Sequence, residues 1–199
     1  MGKIKYNNKL SQSYKKIERT DKKDFKIQTR NIKRTINARK IKGYDNVYVS
    51  DDAIIKPKAL HEINKYNNSL VKRYGIKVAP DILIVSNDNL NYNVLGIYSA
   101  ILNVTIYPFD VVKKTQRHEM WHCKQADGYR QSGMIIDEIT YKEYVKKICS
   151  SAKTKLEKIG INEDNVLDIS KYAKEMYEIG RFDEVEAEYE ALKGDKNGF

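Results

Sequence analysis

The chain of 199 residues is 41% hydrophobic and has a formal net charge of +10, which fits one folded domain with a core. No apolar run approaches the length of a membrane span, no apolar segment follows the basic first residues, and the two cysteines form no CxxC pair. We therefore expect a cytoplasmic protein that has neither membrane contact nor a disulfide framework.

The positive charge is concentrated in residues 1–42, which hold 15 Lys and Arg against three acidic residues, whereas the remainder holds 22 basic and 24 acidic residues. Few large apolar side chains accompany these charges, so the segment alone buries too little surface to offset the cost of ordering it. We predict an extended or disordered basic arm over 1–45 and a folded domain over 46–199. Such an arm can neutralise nucleic-acid phosphates without reading sequence. The alternatives are a solvated tail and an arm packed on an assembly partner.

The folded domain opens with a predicted helix between Pro57 and Gly75, because apolar residues recur there at helical spacing. His61 on this helix lacks a second histidine at ligand spacing, so we interpret it as a surface or core residue. Residues 81–86, DILIVS, form a short β-branched run that predicts a buried strand. Residues 101–107 alternate between two faces and predict a strand exposed on one side.

The chain is predicted to be helical after this strand. Asp110 is a candidate cap for the helix that carries RHEMWHCKQAD, residues 117–127. Three further helical segments each end on a glycine suited to a left-handed cap, namely Gly160, Gly180 and Gly194. We therefore predict an α+β fold, in which a small sheet with an exposed edge strand packs on the helix of residues 117–127 and a helical C-terminal part follows.

The HEMWH sequence has the pattern of a metal site. His118 and His122 project from one face of a helix because they lie four residues apart, and Glu119 lies about 100° away from His118. Two imidazoles so placed can bind one zinc ion, and the adjacent carboxylate can act as a base on a water molecule. The alternative is a helix whose histidines only bond to their neighbours. Cys123 is interpreted as a packing residue.

A third ligand is needed, because protein-bound zinc is usually held by three or four side chains. No histidine follows His122, and Gly128 stands where a metzincin would have its third histidine. The missing ligand should then be a carboxylate. Two acidic clusters offer one: Asp137, Glu138 and Glu143, and Glu184, Glu186, Glu188 and Glu190.

RHEMWH followed by EVEAE at 184–188 resembles the HExxH plus ExxA(D/E/N) pattern of gluzincin-type zinc metallopeptidases, which include the ImmA/IrrE-type and HtpX-like proteases. The preceding LGIYSAILNVTIYP is also similar to the ImmA/IrrE type, and the resemblance covers about 95–192. It implies a zincin-like fold and a substrate cleft along an exposed edge strand. The roles it implies are zinc ligation by His118, His122 and Glu184, general base catalysis by Glu119, close helix packing at Ala187 and support of the site by Glu188.

Two departures from this family keep the third ligand open. The 62 residues between His122 and Glu184 exceed the spacing expected for the ImmA/IrrE type, and Glu188 replaces the usual Asp or Asn. Glu138 and Glu188 therefore remain alternatives to Glu184.

The function predicted from these residues is zinc-dependent hydrolysis of a peptide or protein, with substrate added as a strand along 101–107. Tyr129, Tyr141 and Tyr144 are candidates for stabilising the oxyanion. A weaker resemblance to minor head and morphogenesis proteins of phages suggests an alternative: a non-catalytic assembly protein of a phage or mobile element in a bacterial host. It would be associated with the virion and would contact nucleic acid through residues 1–42.

Overall fold

The computed structural model describes residues 17–28, 33–90 and 94–196. Within these residues the fold is α+β, with a six-stranded mixed sheet and five α-helices. The strands are β1 (Arg19–Gln28), β2 (Lys33–Ile41), β3 (Val47–Ser50), β4 (Asp81–Val85), β5 (Ile97–Ser99) and β6 (Val104–Pro108). The helices are α1 (Pro57–Tyr74), α2 (Lys113–Gln131), α3 (Tyr141–Lys158), α4 (Lys171–Glu178) and α5 (Phe182–Lys196).

The sheet has the strand order β1-β2-β3-β4-β6-β5. Strands β3, β4 and β6 run parallel, whereas β1, β2 and β5 each pair with their neighbours in the antiparallel sense. Helix α1 covers one face, where Leu60 and Ile63 pack on Ile82 and Ile84 of β4. The predicted buried strand at 81–86 is confirmed.

The basic N-terminal region contributes strands β1 and β2 to this sheet. Phe25 and Ile27 of β1 and Ile36 of β2 are 2–4% exposed and belong to the same apolar cluster as residues of β4 and β6. Lys23 reaches across to Asp81 on β4, with an Nζ–Oδ2 distance of 2.7 Å. A separate arm ending at residue 45 is therefore wrong for the described residues from 17 to 42, because their alternate side chains are buried in the core. Residues 1–16 of the predicted arm lie outside the described residues.

The exposed edge strand on the helical side is β5, not the segment 101–107 predicted from the sequence. Strand β6 is buried along its length between β4 and β5. Thr105 can be fully buried there because its hydroxyl donates to the Asp81 carbonyl. Asn103, with φ 50°, turns the chain between β5 and β6. The polar Thr105 therefore suggested an exposed face that does not exist.

Glycines end three of the predicted helices but not the fourth. Gly75, Gly160 and Gly180 have φ between 61° and 78° and follow α1, α3 and α4, as the sequence predicts. Gly194 lies inside α5 instead, where an added Cβ would meet the Arg117 side chain at 2.5 Å. The predicted cap at Asp110 is also wrong, because α2 begins after Val112 without a side-chain cap.

No helix in the described ranges is long and apolar enough to cross a membrane.

Candidate metal centre

The helix that carries HEMWH, α2, is fixed between the sheet and α5 by its buried face. Met120 and Cys123 are completely buried and pack against Leu70 of α1. Arg117, only 1% exposed, donates from Nε to the Ala191 carbonyl of α5 at 2.6 Å. The close approach of α5 depends on Gly194, which leaves room for this guanidinium. The opposite side of α2 consequently faces a cleft.

Three donor atoms from α2 and α5 converge on one point of this cleft. The Nε2 atoms of His118 and His122 are 3.2 Å apart, and Oε2 of Glu184 lies 3.1 and 3.2 Å from them. Within the described part of the chain, these residues form the one group of three His, Cys, Asp or Glu side chains arranged closely enough to hold a metal ion. The carboxylate is thus supplied 62 positions beyond His122.

This donor set fits zinc. Tetrahedral coordination at about 2.1 Å from each ligand separates the ligand atoms by about 3.4 Å. The observed separations of 3.1–3.2 Å are slightly shorter, so only a small expansion is required. Two imidazoles and one carboxylate also match the ligand types that hold catalytic zinc while leaving a coordination position open.

Each histidine is oriented by a hydrogen-bond partner on its other ring nitrogen. Nδ1 of His122 lies 2.9 Å from Oε1 of Gln125, and Nε2 of that amide donates to the buried Glu186 at 2.8 Å. Nδ1 of His118 lies 3.5 Å from Oε2 of Glu188, whose other oxygen pairs with Lys114 at 2.7 Å. Such partners fix the tautomer that directs Nε2 towards a metal.

Two further groups hold Glu184 in place. The Tyr172 hydroxyl donates to Oε2 at 2.8 Å, and Nη2 of Arg181 donates to Oε1 at 2.9 Å. Arg181 is itself anchored by a two-point contact with Asp183, at 2.8 and 2.9 Å. The carboxylate is consequently fixed from both sides before any ion binds.

Glu119 lies beside this cluster and is 7% exposed. Burial raises the pKa of its carboxyl, and this outweighs the lowering effects of His118 and His122 and of a hydrogen bond from the Tyr98 backbone. A raised pKa makes a carboxylate a better proton acceptor near neutral pH. Gly96 makes the position possible, since a Cβ there would lie 3.1 Å from Cγ of Glu119 and 2.7 Å from Cγ2 of Thr115.

Without metal, the histidines of the cluster hold protons tightly, whereas its carboxylates stay ionised. Burial lowers the pKa of His118, but hydrogen bonds with Glu184 and Glu188 raise it more, to about 10. Burial raises the pKa of Glu188, but the hydrogen bonds with His118 and Lys114 have the larger combined effect and lower this pKa to about 2. A metal ion must therefore displace a proton from this site.

The cleft over the cluster has a volume of about 380 Å³. One wall is the edge strand β5 with the neighbouring Gly96 and Ala100, and the other comes from α3, α4 and the start of α5. Tyr141, Tyr144 and Tyr172 line it, together with aliphatic side chains. The cleft therefore places the outer edge of β5, where the Tyr98 backbone donates to Glu119, beside the cluster.

The structure brings together four of the residues predicted for the site: His118, Glu119, His122 and Glu184. Glu138 is exposed and lies away from the cluster, and Glu188 contacts His118 through the nitrogen that faces away from the cluster. His61 is an exposed surface residue.

Three contributors were missed by the sequence interpretation: Gln125, Tyr172 and Arg181. Gln125 carries a usable signal, since it lies one turn after His122 on the same helix. Arg181 also carries a signal, since it lies three residues before Glu184, whereas only the packing of α4 beside α5 reveals Tyr172. Among the tyrosines named from the sequence, Tyr129 does not line the cleft.

Comparison of the chain with protein-family models, curated proteins and solved structures gives no match.

Proposed function

We propose that this chain is a zinc-dependent metallopeptidase with a zincin-like fold. The observation that supports it most is the convergence of His118, His122 and Glu184, with the buried Glu119 beside them in an open cleft. Metal-binding residues alone would serve a structural ion equally well. The additional base and the cleft favour catalysis.

Zinc held by these three ligands would lower the pKa of a coordinated water and polarise the substrate carbonyl. Glu119 then accepts the proton of the attacking water and returns it to the leaving nitrogen, a role for which its raised pKa suits it. Arg181 holds Glu184 at its position through Oε1, so the Tyr172 hydroxyl, which donates to Oε2 without metal, would be free to turn to the substrate when Oε2 binds an ion.

We assign oxyanion stabilisation to Tyr172 in preference to Tyr129, Tyr141 and Tyr144. Its hydroxyl is already within 2.8 Å of Glu184, and its ring centroid is 6.0 Å from that of His118. Burial and the neighbouring Glu184 raise the pKa of Tyr172, so it remains a hydrogen-bond donor at neutral pH.

A peptide substrate would add as a strand to the free edge of β5. Among the described residues, β5 pairs with no strand other than β6, and its neighbours Gly96 and Ala100 line the cleft. Backbone groups on an open edge bind an extended peptide whatever its side chains are. The predicted segment 101–107 offers no such edge, because residues 101–103 form a turn and residues 104–107 belong to β6, which has partners on both sides.

The substitution Glu119→Gln tests the proposal. The amide keeps the shape of the side chain but accepts no proton, so cleavage of a defined peptide mixture should fall by at least about a hundredfold. Zinc content, measured by atomic absorption, should stay at the wild-type level because Glu119 is outside the ligand group. The exposed Glu138→Gln is the matched control and should leave both measurements unchanged. Wild-type cleavage by Glu119→Gln would contradict the proposed mechanism.

A further inference from the structure

A second cavity lies behind the metal-binding face of α2. It has a volume of about 360 Å³, is bounded by α2, α3 and α5, and shares no lining residue with the cleft over the metal centre. A smaller cavity of about 250 Å³ adjoins it, and Trp121, Lys155 and Glu186 line both. We call the two together the rear cavity.

Gly128 lies at the exposed edge of the rear cavity. It lies inside α2, where glycine costs about 1 kcal/mol relative to alanine. Its backbone has no positive φ, and a Cβ built on it would meet nothing within 4 Å. Neither conformation nor crowding therefore requires glycine here, and a side chain added at this exposed position would occupy part of the open space that Gly128 lines.

The lining of the rear cavity combines aromatic rings with lysines. Trp121 and Tyr129 supply apolar surface, and the indole N–H of Trp121 is buried without an acceptor among the described residues. Lys124 supplies positive charge, and Lys147 and Lys155 supply ammonium groups that are paired with Glu143 at 2.8 Å and with Glu186 at 2.9 Å. Lysine ammonium groups beside aromatic rings favour a ligand that has a flat apolar body and an anionic group.

A chain of polar contacts connects this cavity with the metal centre. Lys155 pairs with Oε1 of Glu186 at 2.9 Å, and Oε2 of Glu186 accepts from Gln125 at 2.8 Å. Gln125 in turn contacts Nδ1 of His122 at 2.9 Å. Gln125 and Glu186 are 7% and 4% exposed, so the chain is shielded from water until it reaches Lys155. An anion that attracts Lys155 would thus alter the contact that orients His122.

We propose that the rear cavity is a binding site for a small amphipathic anion, and that its occupation changes metal affinity at His122 through Glu186 and Gln125. The binding half of this proposal is independent of the proposed peptidase activity. The coupling half rests on it, because it requires a metal at the site.

The binding half is tested with 1-anilinonaphthalene-8-sulfonate, a flat apolar anion, titrated calorimetrically into the full chain after metal removal. We expect one saturable site that Gly128→Leu, by filling the cavity, weakens at least about tenfold. Lys124→Ala should weaken binding by about tenfold because it removes a charged partner, whereas Lys158→Ala, an exposed lysine outside the cavity wall, should leave binding unchanged.

Folding of these variants is checked by thermal unfolding. Leucine favours the helix more than glycine does, so Gly128→Leu should be at least as stable as the wild type. Absence of a saturable site in the wild type, or equal binding by a folded Gly128→Leu, would overturn the assignment of the cavity.

The coupling half is tested by measuring zinc affinity against a competing chelator, with and without saturating probe. We expect at least about a fivefold change in wild type, with the reciprocal change in probe affinity when zinc is bound. Glu186→Gln should abolish most of this change, since it removes the charge that links Lys155 to Gln125. Saturable probe binding with unchanged zinc affinity would overturn the coupling. A chain that binds the probe but no zinc would instead refute the proposed peptidase.

Discussion

The substitution Gly96→Ala should impair catalysis without removing the metal. The new methyl group would lie 2.7 Å from Cγ2 of Thr115 and 3.1 Å from Cγ of Glu119. Carbon atoms in contact prefer a separation of about 3.5–4.0 Å. Strand β5 and helix α2 must therefore separate by about 1 Å at this point.

The size of the effect follows from this displacement. A misplacement of about 1 Å in a catalytic group can cost about a hundredfold in rate. The distance between Glu119 and the β5 edge would change, whereas the three atoms nearest the new methyl group belong to Thr115 and Glu119 and not to the residues of the cluster. We expect kcat/KM for peptide cleavage to fall about a hundredfold while zinc stoichiometry is retained.

The double variant Gly96→Ala with Thr115→Ser provides the matched control. Serine lacks the Cγ2 atom that makes the shortest contact, so much of the activity should return. Steady-state kinetics and zinc analysis on both variants measure this. Unchanged activity in Gly96→Ala, or equal reductions of zinc and activity, would refute the reasoning that strand packing positions Glu119.

Further expectations concern the ligands, proton release and the basic hairpin of β1 and β2. Glu184→Ala should lose zinc and Glu138→Ala should retain it, as atomic absorption can measure; full zinc in Glu184→Ala would remove this residue from the ligand set. Because the pKa of His118 is raised to about 10 without metal, zinc uptake should release protons and weaken as pH falls, which calorimetry in buffers of different ionisation enthalpy detects. If the hairpin binds nucleic acid, exchanging the exposed Lys22 and Lys26 for glutamate should lower the salt dependence of binding, by about one unit of slope for each phosphate that the protein no longer neutralises. An unchanged slope would show that these lysines do not bind phosphate.

The helices were predictable because their signals are local. Pro57 and Gly75 delimit α1, and the left-handed Gly160 and Gly180 follow α3 and α4. Gly194 misled because its role is to make room for Arg117 on another helix. A glycine in a sequence does not show whether it is needed for a left-handed backbone conformation or for the absence of a side chain.

The strands were harder to predict. A buried polar residue looks like an exposed one in the sequence, and a strand with one charged face looks like a disordered basic segment. Thr105 is fully buried, and its hydroxyl is satisfied by a hydrogen bond to Asp81. In the sequence, a polar residue at this position indicates an exposed face. In β1 and β2, the alternation of Phe25 with Ile27 and of Ile36 with Ala38 was a usable strand signal. The many lysine and arginine residues between these apolar positions led to the prediction of a basic arm instead of two strands.

The site was predictable where one helix encodes it. His118, Glu119 and His122 are related by helical periodicity alone, so their proximity followed from the sequence. Glu184 was one of several acidic candidates, and only the packing of α5 on α2 separates it from Glu138. The anchoring by Tyr172 depends on a tertiary contact for which the sequence has no spacing rule, whereas Arg181 lies three residues before Glu184, a local spacing that could have indicated the pair.

The position of Glu184 on α5 determines when the site becomes complete. Both histidines precede it by more than 60 residues, at separations of 66 and 62 positions. Glu186 and Glu188, which support the two imidazoles, lie on the same helix. A chain being synthesised therefore carries only part of the ligand set until α5 has emerged and docked. On the proposed function, the nascent protein would thus be protected from self-cleavage while its segments are still unfolded and most easily cut.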